Sequence, residues 1–102
     1  MRLRLREGVS IRLSVADWRR MKASGFAWYI ERRNQRGIAC VIGEQVIRGY
    51  RIRVYLGRWL MNARPGQRVY HRDGNKLSFW RRNLVVAQTR PDMRRRKKRA
   101  AV

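Results

Sequence analysis

Negative charge is what this sequence has least of: Glu7, Asp17, Glu31, Glu44, Asp73 and Asp92 are its only carboxylates. Any acid–base or metal chemistry must draw on these six, on amides and on the single histidine, His71. Cysteine is almost absent as well. Cys40 stands alone in the apolar run IACVI, which excludes an internal disulfide or a cysteine-built zinc site and predicts a buried, reduced thiol. No apolar run approaches the ~18 residues of a membrane span. The MRLRLR start lacks the apolar region of a signal peptide. A cytoplasmic setting, neither membrane-bound nor secreted, is the expectation.

Positive charge is what fills the space. Lys+Arg number 27 and the formal net charge is +21 over 102 residues, enough chain for one small domain with a modest core. The charge is not confined to a tail: residues 90–102 hold seven Lys/Arg and one Asp, net +6, which leaves +15 on residues 1–89. Arginine far outnumbers lysine. A guanidinium fork matches phosphate geometry and stacks on bases, so the bias points to nucleic acid rather than to acidic surfaces in general.

The pattern along the chain predicts an α+β fold: a small antiparallel sheet with a short N-terminal helix, followed by a C-terminal strand–strand–helix unit. RLRLR (2–6) alternates at period 2, as an amphipathic strand or a disordered basic arm. Ser14 to Asp17 has capping-box spacing, and Val15, Trp18, Met21 and Gly25 set a helix over about 15–23 with Trp18 and Met21 as core anchors. FAWYIERR (26–33) and IACVI (38–42) read as strands around a turn at 34–37, and Gly43-Glu44 as a second tight connection into Gln45-Val46-Ile47. YRIRVYL (50–56) alternates cleanly. It predicts a half-buried strand with Tyr50, Ile52, Val54 and Leu56 inward, and with Arg51, Arg53 and Tyr55 on a basic, phosphate-facing side. GRWLMNA (57–63) is a short helical stretch closed by Pro65-Gly66. Strands over 67–72 and 83–87 then form a loose hairpin. Thr89, Pro91 and Asp92 open a helix that runs into RRRKKR. No internal repeat or linker divides the chain.

The chemistry-bearing residues gather between 65 and 99, where His71, Asp73 and Asp92 all fall. A strand–loop–strand–helix unit brings the end of its first strand near the start of its helix, which would make neighbours of His71 and Asp92. An imidazole beside a carboxylate-bound Mg²⁺ has the parts for phosphodiester hydrolysis: the ring takes a proton from water and the cation stabilises the leaving oxygen. The stretch His71-Arg72-Asp73-Gly74-Asn75-Lys76-Leu77, with Asn83-Leu84 beginning twelve residues after His71, resembles the HNH endonucleases in their small phage and homing-type branch. Tyr55 to Met61 and Pro65-Gly66 resemble the segment that precedes the motif there. The likeness is firmest over 50–93 and faint over 8–49.

That resemblance implies a ββα-metal unit. In it, His71 is the general base at the end of the first strand, Asn83 steadies the loop and helps hold the histidine, and Asp92 is the helix-borne ligand of Mg²⁺ or another divalent cation. Three positions depart from the pattern. Tyr70 stands where the family carries a metal-binding Asp, Asn or His, Gly57 where a histidine is common, and Ser78 where Asn or Asp is common. A phenol is a poor Mg²⁺ ligand, because hard cations take charged or carbonyl oxygen. Two readings follow. One is a DNA-nicking or DNA-cleaving endonuclease that grips phosphates with Arg51, Arg53, Arg81, Arg82, Arg94, Arg95, Arg96, Lys97, Lys98 and Arg99. The other is a catalytically inactive relative that binds DNA, or less favourably RNA, through its basic sheet face and C-terminal helix.

Overall fold

Ser14 starts the first helix as its position predicts. Its hydroxyl accepts from the Asp17 N–H at 3.1 Å, helix α1 runs Val15–Ala23, and Gly25, at φ +81°, turns the chain away. This computed structural model describes residues 1–32 and 37–88. Within them the protein is a small α+β fold of short helices and antiparallel strand pairs.

The Arg/Leu alternation at the N-terminus resolves as a strand. β1 (Arg2–Arg4) pairs with β2 (Ser10–Arg12) around Gly8, placing Leu3 opposite Ile11. The second sheet has the order β3 (Ala27–Arg32), β4 (Ile38–Ile47) and β5 (Tyr50–Tyr55), antiparallel throughout. Helix α2 (Leu56–Leu60) follows, shorter than the 57–63 expected. Strands β6 (Gln67–His71) and β7 (Leu84–Gln88) form the last hairpin in continuous register, with a 3₁₀ turn at Arg81–Asn83 leading into β7. The helix expected from Thr89 lies outside the described residues. No helix among the described residues is long and apolar enough to cross a membrane.

The core draws on almost every element. Ile11 and Leu13, Met21 of α1, Ile30 of β3, Val41 of β4, Leu56 and Leu60 of α2, and Phe79 and Leu84 of the last hairpin bury their side chains together. Beside them Trp28 and Trp59 pack at 5.2 Å between ring centroids, with Phe26 5.4 Å from Trp28. β2 also clips onto the segment before β7: Arg12 donates its N–H to Leu77 O at 2.9 Å, and the Phe79 N–H donates to Arg12 O at 2.6 Å.

Two expectations fail for identifiable reasons. Gly43-Glu44 is no turn, since β4 runs unbroken for ten residues through both. A Cβ at Gly43 would fall 2.5 Å from the Trp28 ring, so glycine is required there by close packing rather than by a bend. The true reversal is Arg48-Gly49, with φ of +51° and +82°, the signs a two-residue type I′ hairpin turn needs. An arginine in that region costs about 1 kcal/mol. The second failure is β5. Its alternation has the expected faces, but the core does not extend far enough to cover them: Tyr50 is 76% exposed and Ile52 36%. Cys40, likewise, is only half-buried.

Candidate functional site

β6 delivers His71 to its end, directly opposite Leu84 in the hairpin register. The loop between them is held by its own polar side chains. The Asp73 carboxylate accepts from the Asn75 N–H at 2.8 Å, and the Asn75 side-chain oxygen accepts from the Leu77 N–H at 3.0 Å. Gly74, at φ +75°, allows the tight turn, and its N–H donates to His71 O at 3.0 Å. The first of these bonds is the main reason the Asp73 carboxyl is held below its ordinary range, with a further contribution from the Asn83 amide.

Asn83 is buried and binds the loop from inside. Its Nδ2 donates to Asp73 Oδ1 and to Ser78 O, both at 3.0 Å, and its Oδ1 accepts from the Asp73 N–H at 3.2 Å. The Ser78 carbonyl has a second partner, His71 Nδ1 at 3.0 Å. A carbonyl can only accept, so Nδ1 carries the proton and Nε2 is left as the acceptor of the neutral ring. The ring stands edge-on to Phe79 at 5.0 Å, which fixes its plane. Two residues separated by eleven others thus meet at one oxygen.

In front of His71 lies a cleft of about 280 Å³. Its floor is apolar, made by Val41, Leu56, Val69 and Phe79; Tyr55, Arg58, Arg68, Tyr70 and Lys76 line it with the histidine. Among the described residues no carboxylate lines it. Arg68 and Tyr70 are alternate, exposed positions of β6, and Lys76 comes from the loop. Neither Arg68 nor Lys76 stood among the expected phosphate contacts, although the RVYH alternation at 68–71 carried the signal for the first. Arg58 is committed elsewhere, because its guanidinium donates to the carbonyls of Gln67 and Arg64 and closes the turn before β6.

The predicted phosphate-gripping arginines separate into three kinds. Arg81 donates to both oxygens of Asp17, through Nε at 2.8 Å and Nη2 at 2.7 Å, and Asp17 is only 2% exposed. This fork, with Arg20 adding a contact at 3.3 Å, holds the Asp17 carboxyl below its ordinary range against the opposing effect of burial. Arg81 is therefore first a tie between α1 and the last hairpin, not a free phosphate ligand. Arg51 pairs with Glu44 at 2.8 Å and Arg53 with Glu31 at 3.0 Å, both on the open face of the sheet. The basic outer face expected of β5 is thus partly neutralised by two of the six carboxylates. Arg82 is exposed and borders a hollow beside Asn83 with Arg12 and Trp80. Asp92 and the cations Arg94 to Arg99 lie outside the described residues.

Among the described residues, the donors beside His71 do not suit a divalent cation by themselves. Asp73 is bound into its own loop, Tyr70 offers a phenol, and Arg68 and Lys76 would repel a metal. No group of three or more His, Cys, Asp or Glu among the described residues could hold one. No family model, curated protein or solved structure matches this chain.

Proposed function

We propose that this protein binds nucleic acid, DNA in preference to RNA, and is of the HNH endonuclease type, with β6 and β7 as the two strands of a ββα-metal unit. The observation that carries the reading is the convergence of the His71 ring and the Asn83 amide on the Ser78 carbonyl. A histidine fixed in this way keeps Nε2 as a proton acceptor beside a cleft that Arg68 and Lys76 also line. Such a cleft attracts a phosphodiester, and the ring can take the proton of an attacking water. Mg²⁺ with Asp92 as its ligand belongs to this reading, and the test must include the metal.

A second reading, a catalytically silent DNA- or RNA-binding relative, is favoured by Tyr70, which stands at the cleft where a metal ligand would be needed. A plasmid-nicking assay with Mg²⁺ or Mn²⁺ separates the two. In the first reading, metal-dependent nicking by the wild type disappears in His71→Ala. Salt-sensitive binding without any nicking would sink hydrolysis and leave the binder. Tyr70→Asp then reveals whether one carboxylate restores metal binding to the hairpin.

A further inference from the structure

β3 covers β4 only as far as Glu44, which pairs with Ala27. Beyond that point β4 and β5 continue as a two-stranded ribbon through the pairs Gln45↔Ile52, Val46↔Arg51 and Ile47↔Tyr50. Three residue pairs at the usual strand rise extend about 10 Å. The turn at Gly25 comes up against the Gln45 side chain, whereas nothing lies near Gly49 at the tip. The tip is apolar and uncovered: Val46 is 65% exposed, Tyr50 76% and Ile47 42%. Around it sit Arg48 and Arg51, the latter paired to Glu44 where the ribbon begins. Arg48 occupies a left-handed turn position that Asn or Gly would fill with less strain, and strained residues of this sort concentrate where function retains them.

From this geometry we propose that the tip of the β4–β5 ribbon is a wedge that enters the minor groove of duplex DNA and presses Tyr50 and Ile47 against a base step. The proposal rests on the nucleic-acid-binding reading but uses a surface separate from the His71 cleft. Arg48 and Arg51 can serve direct base readout of guanine in the major groove as well as hold phosphate, so the choice of groove rests on the bare Val46, Ile47 and Tyr50 beside them. Apolar side chains flanked by arginines suit the minor-groove mode, in which phosphates are held while the bases are unstacked and the duplex kinks towards the major groove. A reach of about 10 Å exceeds the ~7.5 Å depth of the minor groove. A second copy of this chain is a poor occupant of the tip, because two chains of net charge +21 would bring like arginines together.

The test is a short duplex carrying a donor dye at one end and an acceptor at the other, titrated at low salt with wild type and with the double variant Tyr50→Thr, Ile47→Thr. Threonine keeps the strand propensity, and thermal melting checks the fold. Wild type is expected to shorten the end-to-end distance as a kink of about 20–90° would. The variant should leave the duplex straight while its affinity falls less than about tenfold, since phosphate contacts carry most of the binding. Binding by wild type without bending, or equal bending by the variant, overturns the wedge and leaves nucleic-acid binding intact. Failure of the wild type to bind the duplex at all overturns the wedge and the binding reading together.

Discussion

The β6–β7 hairpin and the β4–β5 ribbon are both antiparallel strand pairs, yet they use their polar groups in opposite directions. The hairpin turns them inward. His71 and Asn83 meet on the Ser78 carbonyl, Asp73 closes its own loop, and Arg81 reaches across to the buried Asp17. The ribbon turns them outward, in the exposed pairs Arg51–Glu44 and Arg53–Glu31, and leaves its apolar tip bare. Inward bonding fixes a side chain where a reaction would need it; outward pairing leaves charges that a polyanion can recruit. The same arginine-rich composition therefore serves as fastening in one region and stands exposed in the other.

Arg81→Ala should give the largest effect, because it breaks the inward arrangement where the partner is most buried. It leaves the Asp17 carboxylate with only the 3.3 Å contact to Arg20 as an ion pair. The expected loss is about 3 kcal/mol by chemical denaturation, the low end for a broken buried pair because Arg81 itself is half exposed. The pH dependence has a definite sign. Asp17 has its carboxyl lowered in the folded state, chiefly by the Arg81 hydrogen bonds. Its contribution is complete above the unfolded carboxylate value of about 3.9 and is lost as pH falls through the lower folded value. Wild type and Arg81→Ala should thus converge in stability as the solution is acidified below about pH 4. A constant gap down to strong acid would show that the tie is packing and not charge.

Gly43→Ala tests the root of the ribbon. The added methyl would meet the Trp28 ring at 2.5 Å, and that ring is already packed on Phe26 and Trp59. A loss of about 2 kcal/mol is expected, with a change in tryptophan fluorescence as the indole shifts. Little or no loss would mean that the ribbon is as loosely held at its root as at its tip.

Gly43 also marks where the sequence was legible and where it was not. The helix at Val15–Ala23, the strand expected over 67–72 and found at Gln67–His71, and the turn at Asp73-Gly74-Asn75 follow from local chemistry: a cap, a short run between turn signals and a glycine with Asx partners. Each is settled within a few residues. Gly43 is not, because its requirement comes from Trp28, a cross-strand neighbour fifteen positions away. Nor is β5, because alternation shows which residues share a face but not whether a core lies under it. Asp17 has a second role of the same non-local kind. Its spacing from Ser14 shows the local cap, which forms, but not the partner of its buried carboxylate, Arg81, far along the chain.

Asn83→Ala tests the inward arrangement at the candidate site. The variant loses the donors to Asp73 and Ser78 O and the acceptor for the Asp73 N–H, while the Ser78 carbonyl keeps His71. A loss of about 1.5 kcal/mol is expected, since the Asp73 groups can turn to water. If the site nicks DNA, activity should fall by far more than stability, because the loop that orients the histidine is released. Equal losses would make Asn83 a stabilising residue only.

Arg51→Ala should have the smallest effect on folding and bears directly on the outward half of the comparison. Its pair with Glu44 is short at 2.8 Å, but the arginine side chain is 72% exposed. Removing such a pair changes stability by less than about 0.5 kcal/mol. The informative measurement is the salt dependence of DNA binding. If Arg51 leaves Glu44 to meet a phosphate, the slope of log affinity against log salt should fall by about one in the variant. Glu44→Gln should then strengthen binding, since it frees the guanidinium and removes a negative charge from the same face. An unchanged slope in Arg51→Ala would mean that Glu44 keeps the arginine in the complex. The sheet face would then contribute structure, and contact would be left to the ribbon tip and the cleft.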